Sequence, residues 1–455
     1  CILVSGMPLR NKNGRNYMNK PDALPDELDL ILSDLNGIPR GKTIASKTLT
    51  DSEAPHLAEA IFFQTIMGGY STALEKFDAN DGDLLMLPDW STYCQTPWKP
   101  GNVGQVICET KDQRGNPIAY DPRNVLKKVL QEYEDIGLVP IVAPEVELYL
   151  LDPVTRDDRS LQAAAGKYGQ SEFGGEAFSL DALDKFSPVL EEVKAMSRDC
   201  GLELSAIVHE MGPAQVELNV HHGEAMSRAD QFFLLKRLIK GCAHKHGLLA
   251  SFMAKPLLGF PGSGQHLHCS LLGKNGNNQF KLRRRKAPPV LRHFIGGLQK
   301  YLPQAFALIA PNVNSYKRFV RGLSAPINLE WGYDNRTTGL RVPFSDPEAG
   351  RVENRVAGAD ANPYLMIAST LACGLLGLRQ ELEPSQPISD DAYNLKSTFP
   401  RDLNAALNVL EQSDDLADLL SRDFVEVFVS VKRTELRDFM RTMTQWEVSY
   451  LGSAL

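Results

Sequence analysis

Residues 144–151 read PEVELYLL, and the alternation within that stretch decides how much of the chain is read. Successive side chains on a strand point to opposite faces, so Glu145 and Glu147 share one face while Val146, Leu148 and Leu150 share the other. The pattern returns further along. QVELNV (215–220) groups Gln215, Glu217 and Asn219, and HLHCSL (266–271) groups His266, His268 and Ser270. NRTTGLRVP (335–343) carries Arg336 and Arg341, and RVENRV (351–356) aligns Arg351, Glu353 and Arg355. One such strand alone reads as a half-exposed edge with its polar face in water. Five of them, each with an apolar back, predict a sheet curved into a funnel or open barrel lined by those polar faces.

The chemistry follows from putting the charges together. If Glu145, Glu147, Glu210, Glu217 and Glu353 converge, mutual repulsion raises several of their pKa values unless cations sit among them. Carboxylates with one or two histidines suit Mg²⁺ or Mn²⁺, because hard ions prefer oxygen and Mn²⁺ accepts imidazole. Zinc suits the pattern less, since no cysteine stands beside these histidines at finger-like spacing. Arg318, Arg336, Arg351 and Arg355 facing the same ions supply the guanidinium forks that a transferring phosphoryl group needs. The combination points to ATP-dependent chemistry. Neither a GxxxxGK[ST] loop nor a GxGxxG between strand and helix is present. GSGQ (262–265) comes nearest to a hydrolase elbow, but it precedes a strand rather than a helix.

At 455 residues the chain exceeds what one core usually supports, so two domains are expected. A net charge of -7 argues against a nucleic-acid-binding body. The longest apolar run, 363–378, is shorter than the ~20 residues of a membrane span and contains Ser369, Thr370 and two glycines, which predicts a buried core helix. Seven dispersed cysteines without a CxxC pair suggest reduced thiols in a cytoplasmic protein. Residues 1–20 hold no signal-peptide core and read as a mobile tail.

ELDLILSDLNGIPRGKTI (27–44) predicts two strands joined by a turn at Asn36-Gly37. A helix over 54–65, a strand in DGDLLMLPDW (81–90) and another over 101–109 follow, with a boundary placed in 105–120. Asp121-Pro122-Arg123 opens a helix that Gly137 stops, and 227–247 makes a second helix with basic residues late. KLRRRKAPP (281–289) reads as a solvated basic loop.

In order along the chain, PEVELYLL, HEMGPAQVELNV, FMAKP, GSGQHLHCSL, NSYKRFV, NRTTGLRVP and RVENRVAGADANPYL resemble the glutamine synthetase family over about 28–455. LNVHH, PNVNSYKRF, WGYDNRT and RVAGADANPYL resemble the branch of the γ-glutamylpolyamine synthetases. The resemblance implies an α+β fold: an N-terminal β-grasp domain (21–110) and a catalytic domain (111–455) with an open antiparallel β-barrel-like funnel. It also implies a homododecamer of two stacked hexameric rings, with active sites at subunit boundaries. The implied reaction has two steps. ATP phosphorylates the side-chain carboxylate of glutamate, and an amine then displaces the phosphate to give a γ-glutamylamide.

By the same resemblance, Glu147, Glu210 and Glu217 hold one divalent ion, and Glu145, His266 and Glu353 hold the other. Gly262, Arg318 and Arg355 bind glutamate, with Glu147 and His266 beside it. Arg336 and Arg341 meet the ATP phosphates, while Glu210, His268, Ser270 and Arg351 lie along the nucleotide. Arg318, Arg336 and Glu353 form the catalytic set.

Three positions depart from the ammonia-using members. Their flap carries a glutamate where RGLSAP (321–326) has Ser324, and their N-terminal acidic residue has no counterpart in IMGGYST (66–72). Pro261 replaces an asparagine that contacts glutamate. Both counter-charges for ammonium are thus missing, and the smaller flap side chain leaves room for a primary amine, a polyamine above all. Such an amine has a pKa of about 10 and must still lose a proton; Glu330 and Asp334 are candidates to take it. YNLKSTFP (393–400) does not reproduce the segment that carries the modified tyrosine in some bacterial members. Glutamine synthetase itself, a monoamine ligase and a non-catalytic structural relative remain alternatives, the last expected to have lost metal ligands that all stand here.

Overall fold

In the computed structural model, which describes residues 20–50, 54–153, 160–282 and 286–452, the fifteen strands among those residues fall into two sheets. Apart from Lys20, the tail expected at 1–20 lies outside the described residues, as do the three arginines of the 281–289 loop.

The first sheet contains β1 (Glu27–Ser33), β2 (Pro39–Ala45), β3 (His56–Ala58), β4 (Asp83–Pro88), β5 (Cys94–Gln95) and β6 (Val103–Lys111). Its order is β2-β1-β6-β4-β3, with β5 also beside β6. The β1–β6 pair is parallel and the other pairs are antiparallel. The turn between β1 and β2 needs Gly37 at φ +74°, a conformation costly for other residues. The helix expected over 54–65 does not form. His56–Ala58 instead pairs with β4, and Glu59–Phe63 makes a short 3₁₀ turn. Alanine and glutamate favour a helix there, but full burial of Phe62 and Phe63 overrides that preference.

The second sheet contains β7 (Leu138–Leu151), β8 (Leu204–His209), β9 (Gln215–Val220), β10 (Gly223–Glu224), β11 (Leu249–Ser251), β12 (Gln265–Gly273), β13 (Trp331–Tyr333), β14 (Leu340–Val342) and β15 (Val352–Asn354). It runs β13-β14-β15-β12-β7-β9-β8, with β10 and β11 also beside β7, and curves into a nearly closed barrel. It is not wholly antiparallel, because β13 runs parallel to β14. NRTTGLRVP is only partly a strand. Asn335 accepts from the Thr337 N–H (3.0 Å) and hydroxyl (2.7 Å), so Arg336 sits in a turn before β14. RVENRV shortens likewise, leaving Arg351 and Arg355 at the two ends of β15.

Helices pack on the apolar backs. Asp121 caps Pro122–Asp135 by accepting from the Arg123 N–H, as its sequence predicts. Pro363–Arg379 is buried along almost its whole length and contacts both Pro122–Asp135 and Pro289–Tyr301, which makes it the core helix expected. One continuous apolar core runs beneath both sheets. Buried ion pairs reinforce the join. Arg123 reaches Asp230 at 2.8 Å and Asp89 at 2.6 Å, and the Tyr364 hydroxyl donates to Asp230 at 2.8 Å. Asp29 meets Lys99 and Arg237, each at 2.6 Å.

Candidate active site

Strand register assembles the polar face. His266 on β12 stands opposite Glu145 on β7, and Glu147 stands opposite Glu217 on β9. His268 faces Glu353 on β15, which in turn faces Arg341 on β14. Facing residues in a ladder share one side of the sheet, so all seven project into the same space. Two trios result, Glu145–His266–Glu353 and Glu147–Glu217–His266, each with ligand atoms within 4.8 Å of one another. The first is the set implied by the sequence. In the second, His266 takes the place expected for Glu210, which follows the end of β8 and stands outside both trios.

His266 is central. Its Nδ1 lies 3.6 Å from Glu145 and 3.8 Å from Glu353, and its Nε2 lies 3.7 Å from Glu147. These gaps exceed a hydrogen bond and leave room for a cation shared between nitrogen and oxygen. The donor set, carboxylate oxygens with one imidazole, fits Mg²⁺ or Mn²⁺. Electrostatics points the same way. Burial and the neighbouring charges of Glu147, Glu145 and Glu210 push Glu217 up to about 9. Burial and then Glu147 push Glu210 up to about 7. Burial also acts against ionised Glu145, but the imidazoles of His266 and His268 hold it well below the usual carboxylate range. Glu353 is lowered too: burial opposes ionisation, and His268 and Arg355 overcome it. The protein thus gathers more negative charge on the Glu217 side than its own cations neutralise.

The arginines line one end. Arg341 binds Glu353 at 2.9 Å and Asp334 at 2.5 Å, and Arg355 lies 3.3 Å from Glu353. Arg351 donates to His268 Nδ1 at 3.2 Å. A guanidinium can only donate, so Nδ1 accepts and the ring hydrogen sits on Nε2, which donates to Glu145 at 3.0 Å. His268 therefore orients Glu145 from behind. Arg336 is exposed; its carbonyl accepts from Arg355 and its charge favours ionised Glu210. Ser270 is half-buried on β12, on the same face as the two histidines.

PGSG explains itself by sterics. A Cβ on Gly262 would lie 2.4 Å from the Ala254 carbonyl and 2.7 Å from the Arg318 side chain. One on Gly264 would fall 2.8 Å from His266 Nε2. The Gly264 N–H donates to Glu147 at 2.7 Å, and the Pro261 carbonyl accepts from Tyr149 at 2.8 Å. Arg318, 2% exposed, donates to the carbonyls of Val356 and Arg355, while its Nε has no hydrogen-bond partner. A buried guanidinium in that state can take an anionic group.

Sequence reading missed the role of Gln215. Buried, it donates to Glu147 at 3.3 Å and to the Gly262 carbonyl at 3.2 Å, joining the carboxylate face to the glycine turn. Its place on the polar face of QVELNV was the available signal. Of the candidate proton acceptors, Asp334 binds Arg341 and Glu330 accepts from Ser385 at 2.9 Å. Ser324 is exposed at φ +65°. Ile66 and Met67 of IMGGYST line a separate cavity of about 860 Å³, between the 36–39 turn and the helices Ala225–Lys245 and Arg422–Met440, and no residue of the two trios lines it.

The curved sheet thus carries two carboxylate–imidazole trios with the donor chemistry to hold divalent ions, and arginines beside them. Residues 119–451 match the family described as glutamine synthetase, catalytic domain, and the chain belongs to the glutamine synthetase family. It is 33% identical to γ-glutamylputrescine synthetase PuuA of Escherichia coli (strain K12), covering 93% of this chain and 91% of the relative. It is 31% identical to glutamate–isopropylamine ligase of a Pseudomonas species, covering 96% of each. Glutamine synthetases of Pyrococcus species are also among its relatives. A solved structure titled as a GmaS/ADP complex superposes with a TM-score of 0.82 at 29% identity, over 94% of this chain and 97% of that one. The chain is thus a ligase of the acid–amine type, in a family that uses ATP and divalent metals.

Proposed function

We propose that the protein joins the γ-carboxylate of L-glutamate to a primary amine, a polyamine first among candidates, through a γ-glutamyl phosphate made with ATP. Divalent ions, when bound, neutralise the phosphate oxygens during transfer. Glu145, Glu147, Glu210, Glu217, His266 and Glu353 hold them. Arg318 and Arg355, with Gly262, Glu147 and His266, seat glutamate; Arg318 offers the unpartnered buried nitrogen for its carboxylate. Arg336 and Arg341 take the ATP phosphates, and His268, Ser270 and Arg351 lie along the nucleotide. Arg318, Arg336 and Glu353 act on the reacting groups. The same reading includes a β-grasp domain over 21–110, a catalytic domain over 111–455, a homododecamer and a cytoplasmic location. Support for the first comes from the mixed sheet, in which parallel β1 and β6 lie side by side.

The observation that carries the choice of amine over ammonia is Ser324, exposed on the flap where an ammonia enzyme keeps a carboxylate. The named activities of the two bacterial relatives agree with it. The competing reading is glutamine synthetase itself, favoured by the Pyrococcus relatives. ATP-dependent phosphate release, measured with glutamate plus ammonium, putrescine, spermidine, spermine or monoamines, decides between them. A primary amine is expected to give the highest kcat/KM, and ammonium in first place sinks the proposal.

A further inference from the structure

At three of the funnel carboxylates the two oxygens are held differently. Glu147 Oε2 accepts from the Gly264 N–H at 2.7 Å and from Gln215 at 3.3 Å, while its Oε1 faces His266 Nε2 at 3.7 Å. Glu353 Oε2 accepts from Arg341 at 2.9 Å, while its Oε1 faces His266 Nδ1 at 3.8 Å. Arg355 Nε lies 3.3 Å from that Oε1 but makes no hydrogen bond. Glu145 Oε1 accepts from His268 Nε2 at 3.0 Å and from Asn219 Nδ2 at 3.1 Å, while its Oε2 faces His266 Nδ1 at 3.6 Å. In each case the oxygen turned to His266 is the one left without a hydrogen bond.

Asn219 is the member of these pairings that has no role so far. It stands directly opposite Glu145 in the β7–β9 ladder. Ionised Glu145 only accepts, so the amide nitrogen must face it. The other end of the amide, Oδ1, is buried with no hydrogen-bond partner. An unpaired buried acceptor costs stability, so packing does not explain this residue.

Building on the divalent-ion site proposed above, we propose that Asn219 is a positioning residue that sets the choice of ion. With His268 it ties up Glu145 Oε1, so that an ion in the Glu145–His266–Glu353 trio meets Oε2 alone. A carboxylate that gives both oxygens to one ion subtends a narrow angle. Ca²⁺ tolerates that angle, with roughly six to eight ligands in a flexible arrangement, whereas the strict octahedron of Mg²⁺ does not. Mn²⁺ also takes octahedral sites. Holding Oε1 away therefore favours Mg²⁺ and Mn²⁺ and handicaps Ca²⁺.

The test reads ion binding rather than ligase activity. The full chain is loaded with Mn²⁺, and Ca²⁺ is added until half the bound Mn²⁺ is displaced, followed by the electron paramagnetic resonance of free Mn²⁺. The unaltered chain should need a large excess of Ca²⁺. Asn219→Ala should bring the Ca²⁺-to-Mn²⁺ affinity ratio up by about tenfold, and Asn219→Val, which suits a strand better, should match it. A general loosening of the fold weakens both ions together and leaves that ratio where it was. Asn219 also favours ionised Glu217, an effect on both ions that the ratio cancels. An unchanged ratio in the two variants, or an unaltered chain that binds Ca²⁺ as tightly as Mn²⁺, overturns the proposal while leaving the ion site standing. An unaltered chain that binds no Mn²⁺ overturns the ion site itself, and the role of Asn219 with it.

Discussion

Where the first sheet meets the helices, buried acids have their own cations: Asp29 has Lys99 and Arg237, while Asp89 and Asp230 share Arg123, at 2.6 to 2.8 Å. On the funnel face, burial and then the neighbouring carboxylates, Glu147 above all, raise the pKa values of Glu217 and Glu210. The first arrangement is complete without any ligand, and its charges hold the chain together. The second leaves carboxylate beside carboxylate, an arrangement that a divalent ion from solution would complete. A buried charge is thus structural or functional according to whether the protein supplies its partner.

The contrast can be broken by mutation. Replacing His266 with alanine removes the nitrogen shared by both trios, so turnover should fall by more than about 100-fold, and Mn²⁺ should no longer raise the thermal midpoint. Near-normal kcat/KM in that variant would remove His266 from the centre. Arg123→Ala strips Asp89 and Asp230 of their cation and should cost about 3–5 kcal/mol of stability, read by denaturant unfolding. Its kcat/KM, measured where the chain is folded, should hold; a large loss there erases the distinction between the two regions.

Glu217→Gln sharpens the comparison through pH. Glu217 binds its proton more tightly in the folded chain than in the unfolded one. Metal-free stability should therefore drop as pH rises from the ordinary 4.5 towards about 9. The variant should flatten that slope in chelator and lose affinity for Mn²⁺; an unchanged slope means the repulsion is not there. The smallest effect is expected at the flap. Ser324→Glu should shift kcat/KM towards ammonium and away from amines by up to about tenfold, roughly 1.4 kcal/mol, and a fixed amine-to-ammonium ratio would show that Ser324 does not set the choice.

How much of this was legible depended on whether a residue sat on a regular strand. Glu145, Glu147, Glu217, His266 and Glu353 were placed by alternation alone, because period-two spacing on β7, β9, β12 and β15 leaves no choice of face. Glu210 and Arg336 lie off strands, where spacing carries no direction; their charges grouped them with the site, and family resemblance suggested their particular roles. Alternation put Gln215 on the polar face of QVELNV, but its two hydrogen bonds, to Glu147 and to the Gly262 carbonyl, depend on elements distant in sequence. The 54–65 segment misled because its local composition favours a helix while Phe62 and Phe63 are claimed by the core.

Strand β7 has one more consequence, in time rather than in space. It pairs with β9, β10, β11 and β12, and it supplies a carboxylate to each trio. Closing the Glu145–His266–Glu353 trio needs strands from both ends of the 145–353 span, joined through β12. Pairings between strands so far apart in sequence form late and slowly. During refolding, Mn²⁺ capture should lag behind the return of helix and strand, so that the ion acts as a clock for the last stage of assembly.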